Sequence, residues 1–391
     1  MEIYLVGGAV RDTLLGQPVT DKDWVVVGTT PETMLAQGYQ QVGRDFPVFL
    51  HPVTREEYAL ARTERKTGAG YTGFACYSAP DVTLEEDLQR RDLTINAIAQ
   101  AADGTLYDPY RGADDLRNRI LRHVSDAFTE DPLRVLRVAR FAARFTGLGF
   151  TIAPETLSLM TTITEQGELT HLTAERVWKE TEKALNSTHP EIYFSVLRRC
   201  KALAVLFPEL DALYRESDGQ TDYGTLTEQA LQQITVLTDS TEIRFAVLCL
   251  YLSYQGIQEG IAAIKALSER VRVPNPARDL ALLSSRFYHC VHRISHLSAD
   301  DIIALFDNLD AWRKPERIKQ LALAGEADYR SRISPDADDY LPGQLLSDAF
   351  TIAQQVAVKP VIDAGFKGAD IKTELTRRRI DAINEWQQKS R

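Results

Sequence analysis

The chain has 391 residues, 44% of them hydrophobic, and a formal net charge of −10 at pH 7. That length can bury a large core and predicts two or more domains, while the acidic balance argues against non-specific nucleic-acid binding by the molecule as a whole. No run of about 18 uncharged apolar residues occurs, so no membrane span is predicted. Four scattered cysteines (Cys76, Cys200, Cys249, Cys290) without a C-x-x-C read as reduced thiols of a cytoplasmic protein, not as disulfides or a zinc site.

The first residues, MEIYLVGGAVRD, pass straight into a strand at Ile3–Val6 without a basic leader, an expectation against secretion. A Gly7-Gly8 turn follows, then a helix over Val10–Leu15 that Arg11 opens. A glycine turn lets backbone approach a polyphosphate, and N–H groups at a helix start favour anionic oxygens. DKDWVVVG then reads as a strand at Trp24–Val27. Side chains two apart on a strand share a face, which points Asp21 and Asp23 the same way. Two such carboxylates suit Mg²⁺, a hard cation that keeps positions open for phosphate oxygens. Ions held so can clamp the attacking and leaving oxygens of an in-line phosphoryl displacement.

A helix is predicted at Pro31–Ala36 and strands at Val48–His51, Tyr58–Ala61 and Asn96–Ala99. Between them, ARTERKTGAGYTGF at 61–74 carries Gly68, Gly70 and Gly73 with Tyr71 and Phe74, a pattern expected of a mobile loop or a plain surface insert. In RRDLTINA at 90–97, Arg90 and Arg91 offer fixed cations for a triphosphate, and Asp92 and Asn96 can bond ribose hydroxyls. In YDPYRGADDLRNRILR at 107–122, Gly112 is expected to swivel the backbone before a helix carrying Arg117 and Arg119.

From Asp126 the apolar spacing turns helical, and breakers such as FPEL at 207–210 and VPNP at 273–276 divide the remainder. In EDPLRVLRVARF at 130–141, Pro132 fits a first helical turn, and Asp131, Arg134, Arg137 and Arg140 recur every three residues along one polar stripe. Three guanidinium groups against one carboxylate predict an external anion, and phosphate matches their geometry. Arg111, Arg117, Arg119, Arg122 and Arg144 crowd the same stretch, whereas acids dominate DADD at 336–339. Such a tract can steer RNA into one cleft of an acidic protein. The expected fold class is α+β, with an α/β head before an all-helical remainder.

With these motifs in this order the chain resembles the class II tRNA nucleotidyltransferases, the CCA-adding enzyme family, in its gammaproteobacterial form. GGAVRD with DKD resembles the family's motif A, RRDLTINA motif B, DPYRGADDL motif C and EDPLRVLRVARF motif D. ERVWKETEKAL at 175–185, LRRCKALAVLFPEL at 197–210 and AGFKGADIKTELTRRRI at 364–380 resemble the later helices of that family. The resemblance implies a polymerase β-like nucleotidyltransferase head over 1–125, a helical neck over 126–210, and a body and tail over 211–391 that bind tRNA. It implies addition of C, C and A to the 3′ end of tRNA from CTP and ATP, with Asp21 and Asp23 holding Mg²⁺. By the same carry-over, Gly8, Arg11 and Arg91 contact the nucleotide, Asp131 and Arg134 read its base edge, and Arg137 and Arg140 line the pocket. The length of the 61–74 loop implies full CCA addition, and no protein partner is implied.

Relatives often carry a metal-dependent HD phosphohydrolase domain, but Leu250 and Tyr251 stand here where its His-Asp pair is expected. His289, His292 and His296 lie close together with weak metal-ligand spacing. The expectation is therefore a degenerate HD-like region without phosphatase activity. Arg377, Arg378 and Arg379 with Lys367 and Lys372 are candidates for gripping tRNA. A poly(A) polymerase shares the logic of motifs A and B, and a non-catalytic tRNA-binding module is the alternative of another class.

Overall fold

A computed structural model describes residues 1–42, 48–66, 74–214, 222–333 and 340–389. The chain divides into two compact units, Met1–Leu206 and Phe207–Arg391. The first begins β1 (Glu2–Val6), α1 (Gly8–Leu14), β2 (Asp23–Val27), α2 (Pro31–Ala36), β3 (Gln40–Val42), β4 (Val48–Leu50) and β5 (Glu57–Leu60). It continues with β6 (Thr63–Lys66), β7 (Phe74–Tyr77), α3 (Leu84–Gln89), β8 (Ala99–Gln100), β9 (Leu106–Tyr107) and α4 (Gly112–Asn118).

Seven of these strands form one sheet in the order β3-β4-β5-β2-β1-β8-β9. The β2–β5 pair is parallel and the other pairs are antiparallel. Alternation along the central strands gives the sheet two apolar faces. Tyr4, Val6 and Val25 pack on Val82, Leu88 and Ala97, while Val26, Phe49, Tyr58 and Leu60 pack on Met34. Asp23 is two residues before Val25 and so shares its face.

Several expectations shift. Asp23 is the first residue of β2 and Asp21 precedes the strand, so strand alternation alone does not align the two carboxylates. Arg11 sits one turn inside α1 and does not open it. The strand expected at Asn96–Ala99 is a 3-10 turn over Thr94–Asn96 followed by β8, because Asn96 turns inward to polar partners instead of pairing in the sheet. The expected loop at 61–74 is in part an antiparallel ribbon of β6 and β7; its residues 67–73, with Gly68, Gly70, Tyr71 and Gly73, lie outside the described residues.

The rest of the first unit is mostly helical: β10 (Ile120–Leu121), α5 (Leu133–Phe145), β11 (Thr151–Ile152), α6 (Pro154–Glu165), α7 (Ala174–Leu185), α8 (Pro190–Arg199) and α9 (Ala202–Leu206). Helix α5 buries Val135, Leu136, Val138, Ala139 and Ala142, and it packs against α7 and α8. It starts at Leu133 behind Pro132, and Asp131 stands just outside it, where its Oδ1 accepts the Leu133 N–H at 3.0 Å.

Among the described residues the second unit is wholly helical. It comprises α10 (Pro208–Asp211), α11 (Tyr223–Leu237), α12 (Thr241–Leu248), α13 (Ile257–Arg270), α14 (Asn275–His292), α15 (Ala299–Asn308), α16 (Glu316–Arg332), α17 (Leu341–Gln355), α18 (Lys359–Asp363) and α19 (Ala369–Lys389). Ile302, Phe306, Leu321, Leu346, Phe350 and Ile383 lie in one of its cores. The acidic DADD at 336–339 falls outside the described residues. No helix is long and apolar enough to cross a membrane among those described.

Candidate active site

The turn after β1 shows why glycine is needed there. Gly7 has φ +68°, and a Cβ on it would stand 3.1 Å from Nη1 of Arg91. The backbone is thus in a region that L side chains rarely adopt and pressed against a cation. Arg11, one turn later, is only 3% exposed. Its Nε donates to Asp12 Oδ1 at 2.8 Å and its Nη1 to Asn96 Oδ1 at 2.5 Å. The guanidinium carbon lies 5.4 and 5.1 Å from the ring centres of Phe141 and Phe145. Burial lowers the Arg11 pKa from its ordinary value and the Asp12 hydrogen bond opposes that shift.

The RRD segment is organised by Asp87, a residue the sequence reading did not single out. It is fully buried on α3, a position expensive for a lone carboxylate. Its Oδ1 accepts from Arg90 Nη2 at 2.7 Å and from the Arg62 N–H at 3.2 Å, and its Oδ2 accepts from Arg91 Nη2 at 3.1 Å. Arg91 Nε is buried with no hydrogen-bond partner among the described residues. Asp92 accepts from Asn96 Nδ2 at 2.9 Å and from Arg137 Nε at 2.8 Å. Burial pushes the Asp92 pKa up, but Arg137 and these hydrogen bonds outweigh it and hold the carboxyl below its usual range.

DPYRGADDL braces this segment from behind. Asp108 accepts the N–H groups of Gly112 and Ala113 at 2.7 and 2.8 Å, and Thr94 Oγ1 donates to Asp115 at 2.7 Å. A Cβ on Gly112 would fall 2.1 Å from the Thr94 carbonyl oxygen. Glycine is there for close approach and not, as expected, for a backbone swivel.

The polar stripe of α5 is compensated within the protein, contrary to the surplus of cations expected. Arg134 is 6% exposed and donates to the carbonyls of Ala127 and Arg90 at 2.6 and 2.5 Å. Arg137 pairs with Asp92, Arg140 with Glu180 on α7, and Arg144 with Asp12 on α1. Asp131 Oδ2 pairs with Arg176 of α7 at 2.9 Å. The carboxylates come from other elements, so the sequence of one helix could not reveal them. The wider tract is compensated too: Arg111 and Arg117 pair with Asp114, Arg122 with Asp115 and Glu155, and Arg119 lies over the Phe150 ring.

The glycine turn, Arg11, the RRD segment and the polar stripe of α5 meet at one cavity of about 570 Å³. Every site residue named from the sequence lines it: Gly8, Arg11, Asp21, Asp23, Arg91, Asp92, Asn96, Asp131, Arg134, Arg137 and Arg140. Arg62, Arg144, Arg176 and Glu57 also line it. Glu57 opens β5 directly opposite Asp23 in parallel register, which puts both carboxylates on one face at one level. No local motif marks it, since the pairing of β2 with β5 alone brings it there.

Among the described residues no cluster of three or more His, Cys, Asp or Glu is assembled closely enough to enclose a metal ion. The donor set still fits a partly hydrated divalent cation. Asp21 and Asp23 are exposed at the cavity, and Asp23 makes no side-chain hydrogen bond or ion pair among the described residues. A hard cation held by two carboxylates completes its shell from water and phosphate oxygens.

Elsewhere, His292 Nε2 meets Asp328 at 2.8 Å and its Nδ1 meets the Tyr340 hydroxyl at 2.7 Å, while Tyr251 donates to the same aspartate at 2.5 Å. The position where a His-Asp pair was expected is thus occupied by a tyrosine in an α14–α16–α17 polar network. In α19, Arg377 and Arg378 pair with Glu374, whose pKa they pull down to about 2, and Arg379 stacks 3.6 Å from the Trp312 ring centre. The three arginines proposed to grip RNA are therefore engaged within the protein.

Residues 3–122 match the family described as the Poly A polymerase head domain. Residues 149–214 match that described as "Probable RNA and SrmB- binding site of polymerase A". The whole chain is similar to the Bacillus stearothermophilus CCA-adding enzyme in complex with CTP, at a TM-score of 0.68 and 24% identity, over 98% of this chain and 89% of that one. Similarity to the Thermotoga maritima CCA-adding enzyme complexed with tRNA gives 0.66 and 19%, over 98% and 87% of the two chains. A CCA-adding enzyme complexed with ATP gives 0.70 and 21%, over 98% and 86%. Residues 3–122 thus carry the poly(A) polymerase head domain, a matched helical segment lies beyond it, and the chain has the fold of the CCA-adding enzymes along nearly its full length.

Proposed function

We propose that this enzyme adds C, C and A to the 3′ end of tRNA, using CTP and ATP and releasing pyrophosphate, in the cytoplasm. The observation that supports it best is the convergence of motifs A, B and D on one cavity of nucleotide size. Asp21 and Asp23, with Glu57 beside them, would hold Mg²⁺; when bound, that ion acidifies a primer hydroxyl and neutralises phosphate charge. The functional division follows the sequence reading, with a catalytic head over 1–125, a selecting neck over 126–210 and a tRNA-binding remainder over 211–391.

The chain's own residues bind and orient. The Gly7-Gly8 turn and the cations of Arg11 and Arg91 receive the triphosphate, and Asp92 and Asn96 orient the sugar and fix Arg137 and Arg11. Arg134 only donates and ionised Asp131 only accepts, so the pair serves the edges of cytosine and adenine. Uracil lacks the exocyclic amine that Asp131 accepts from, and guanine is poorly satisfied. Arg137 and Arg140 complete the pocket wall.

Incubation of the protein with tRNA lacking its 3′ end, and with each triphosphate singly and in pairs, tests the reading. CTP-then-ATP incorporation that stops after three nucleotides is expected. A long A tail from ATP alone would instead favour a poly(A) polymerase, which shares the logic of motifs A and B.

A further inference from the structure

Helix α7 carries cations beyond the one that reaches the cavity. Arg176, Lys179 and Lys183 are spaced at i, i+3 and i+7, so they form one stripe along its length. Arg176 lines the cavity, and the two lysines follow about 4.5 and 10.5 Å further along the axis at 1.5 Å per residue. Both lysines are exposed.

The carboxylates next to them are already committed. Asp131 is spent on Arg176 and Glu180 on Arg140. Neither lysine makes a hydrogen bond or ion pair among the described residues, although Glu175 and Glu182 lie on the same helix. Helix α5 packs alongside and adds Arg137 and Arg140 to the same neighbourhood. Partial burial, with Arg140, Lys179 and Arg137 around it, holds the Lys183 pKa below its ordinary value against the pull of Glu180. Two lysines without an ion-pair partner among the described residues thus lead outward from the cavity wall along α7. The matched RNA-binding segment, residues 149–214, contains the whole helix.

We propose that Lys179 and Lys183 form a track for the phosphodiester backbone of the RNA strand whose 3′ end enters the cavity. This rests on the proposed function and assigns the primer to one helix face. Lysine is suited to the task, since a flexible point charge binds successive phosphates without demanding a base sequence.

The test is equilibrium binding of tRNA lacking its 3′ end, measured across a salt series, for the wild type and for Lys179→Ala/Lys183→Ala. Each single-strand phosphate contact contributes about −0.7 to the slope of log K against log salt. The double variant is expected to bind about tenfold more weakly at low salt, with a slope shallower by about 1.4. Lys179→Arg/Lys183→Arg is expected to restore both. Lys201→Ala, on a lysine paired with Glu165, is expected to keep the wild-type slope. A double alanine variant with wild-type affinity and slope, beside a wild type that extends tRNA, would overturn the track alone and leave two solvated lysines. A wild type that does not extend tRNA would overturn the functional reading and the track with it.

Discussion

Single residues at this site differ in what they have to lose. Asp23 is exposed and its side chain makes no hydrogen bond or ion pair among the described residues, so Asp23→Ala should leave the fold intact. Incorporation should fall by at least on the order of 10³-fold, since charge stabilisation at the reacting phosphate is lost. tRNA affinity in a filter-binding assay should stay near wild type, and an equal collapse of binding would make the aspartate structural. Glu57→Gln should lower kcat with little change in thermal stability, because its side chain shares the Asp23 face of the sheet. Asp131→Ala or Arg134→Ala should loosen nucleotide choice, with discrimination against UTP or GTP falling by about 10–100-fold in single-turnover assays. Asp87 stands at the other extreme. Asp87→Asn leaves two guanidinium groups short of their counter-ion at a fully buried position, and breaking such a pair costs about 3–5 kcal/mol.

At the scale of elements, α4 bears on Thr94 through a contact that admits no side chain. Gly112→Ala would drive a methyl group into a carbonyl oxygen, and overpacking of that kind costs about 1–3 kcal/mol. The melting temperature should drop by several degrees and the KM for CTP should rise, because the displaced turn carries Asn96. A variant with wild-type stability and KM would show that the turn yields freely.

The same elements show where the sequence is informative. Glycine turn, D-x-D and RRD are local patterns whose chemistry is set within a few residues, and each of their site residues reaches the cavity. The arginine stripe misled because its partners Asp12, Asp92 and Glu180 lie far away in the chain. Asn96 misled because its side chain prefers a buried carboxylate and a guanidinium to a strand. Glu57 was invisible, since only pairing between β2 and β5 gives it a role.

For the molecule as a whole, two compact units mean that one unfolding free energy does not describe the chain. Trp24 and Trp178 report on the first unit and Trp312 and Trp386 on the second. Asp87 and Asp92 are held below their usual carboxylate range. Their contribution is complete above the unfolded aspartate pKa, about 3.9, and is lost as pH falls towards the lower native values. The urea midpoint of the first unit, read in a variant with only Trp24 and Trp178, should be level from pH 5 to 7 and decline below about pH 4. A decline beginning near neutrality would point to a histidine instead.

The pairing of Asp92 with Arg137 and of Asp12 with Arg144 has a practical consequence. A fragment cut after residue 125 would retain both acids and lose both bases, stranding a buried carboxylate where the pocket wall had been. The sheet-bearing part here is not a portable module: its interior is finished by α5, a helix that the chain makes only afterwards, so the cavity wall is completed only once residues 133–145 have been synthesised.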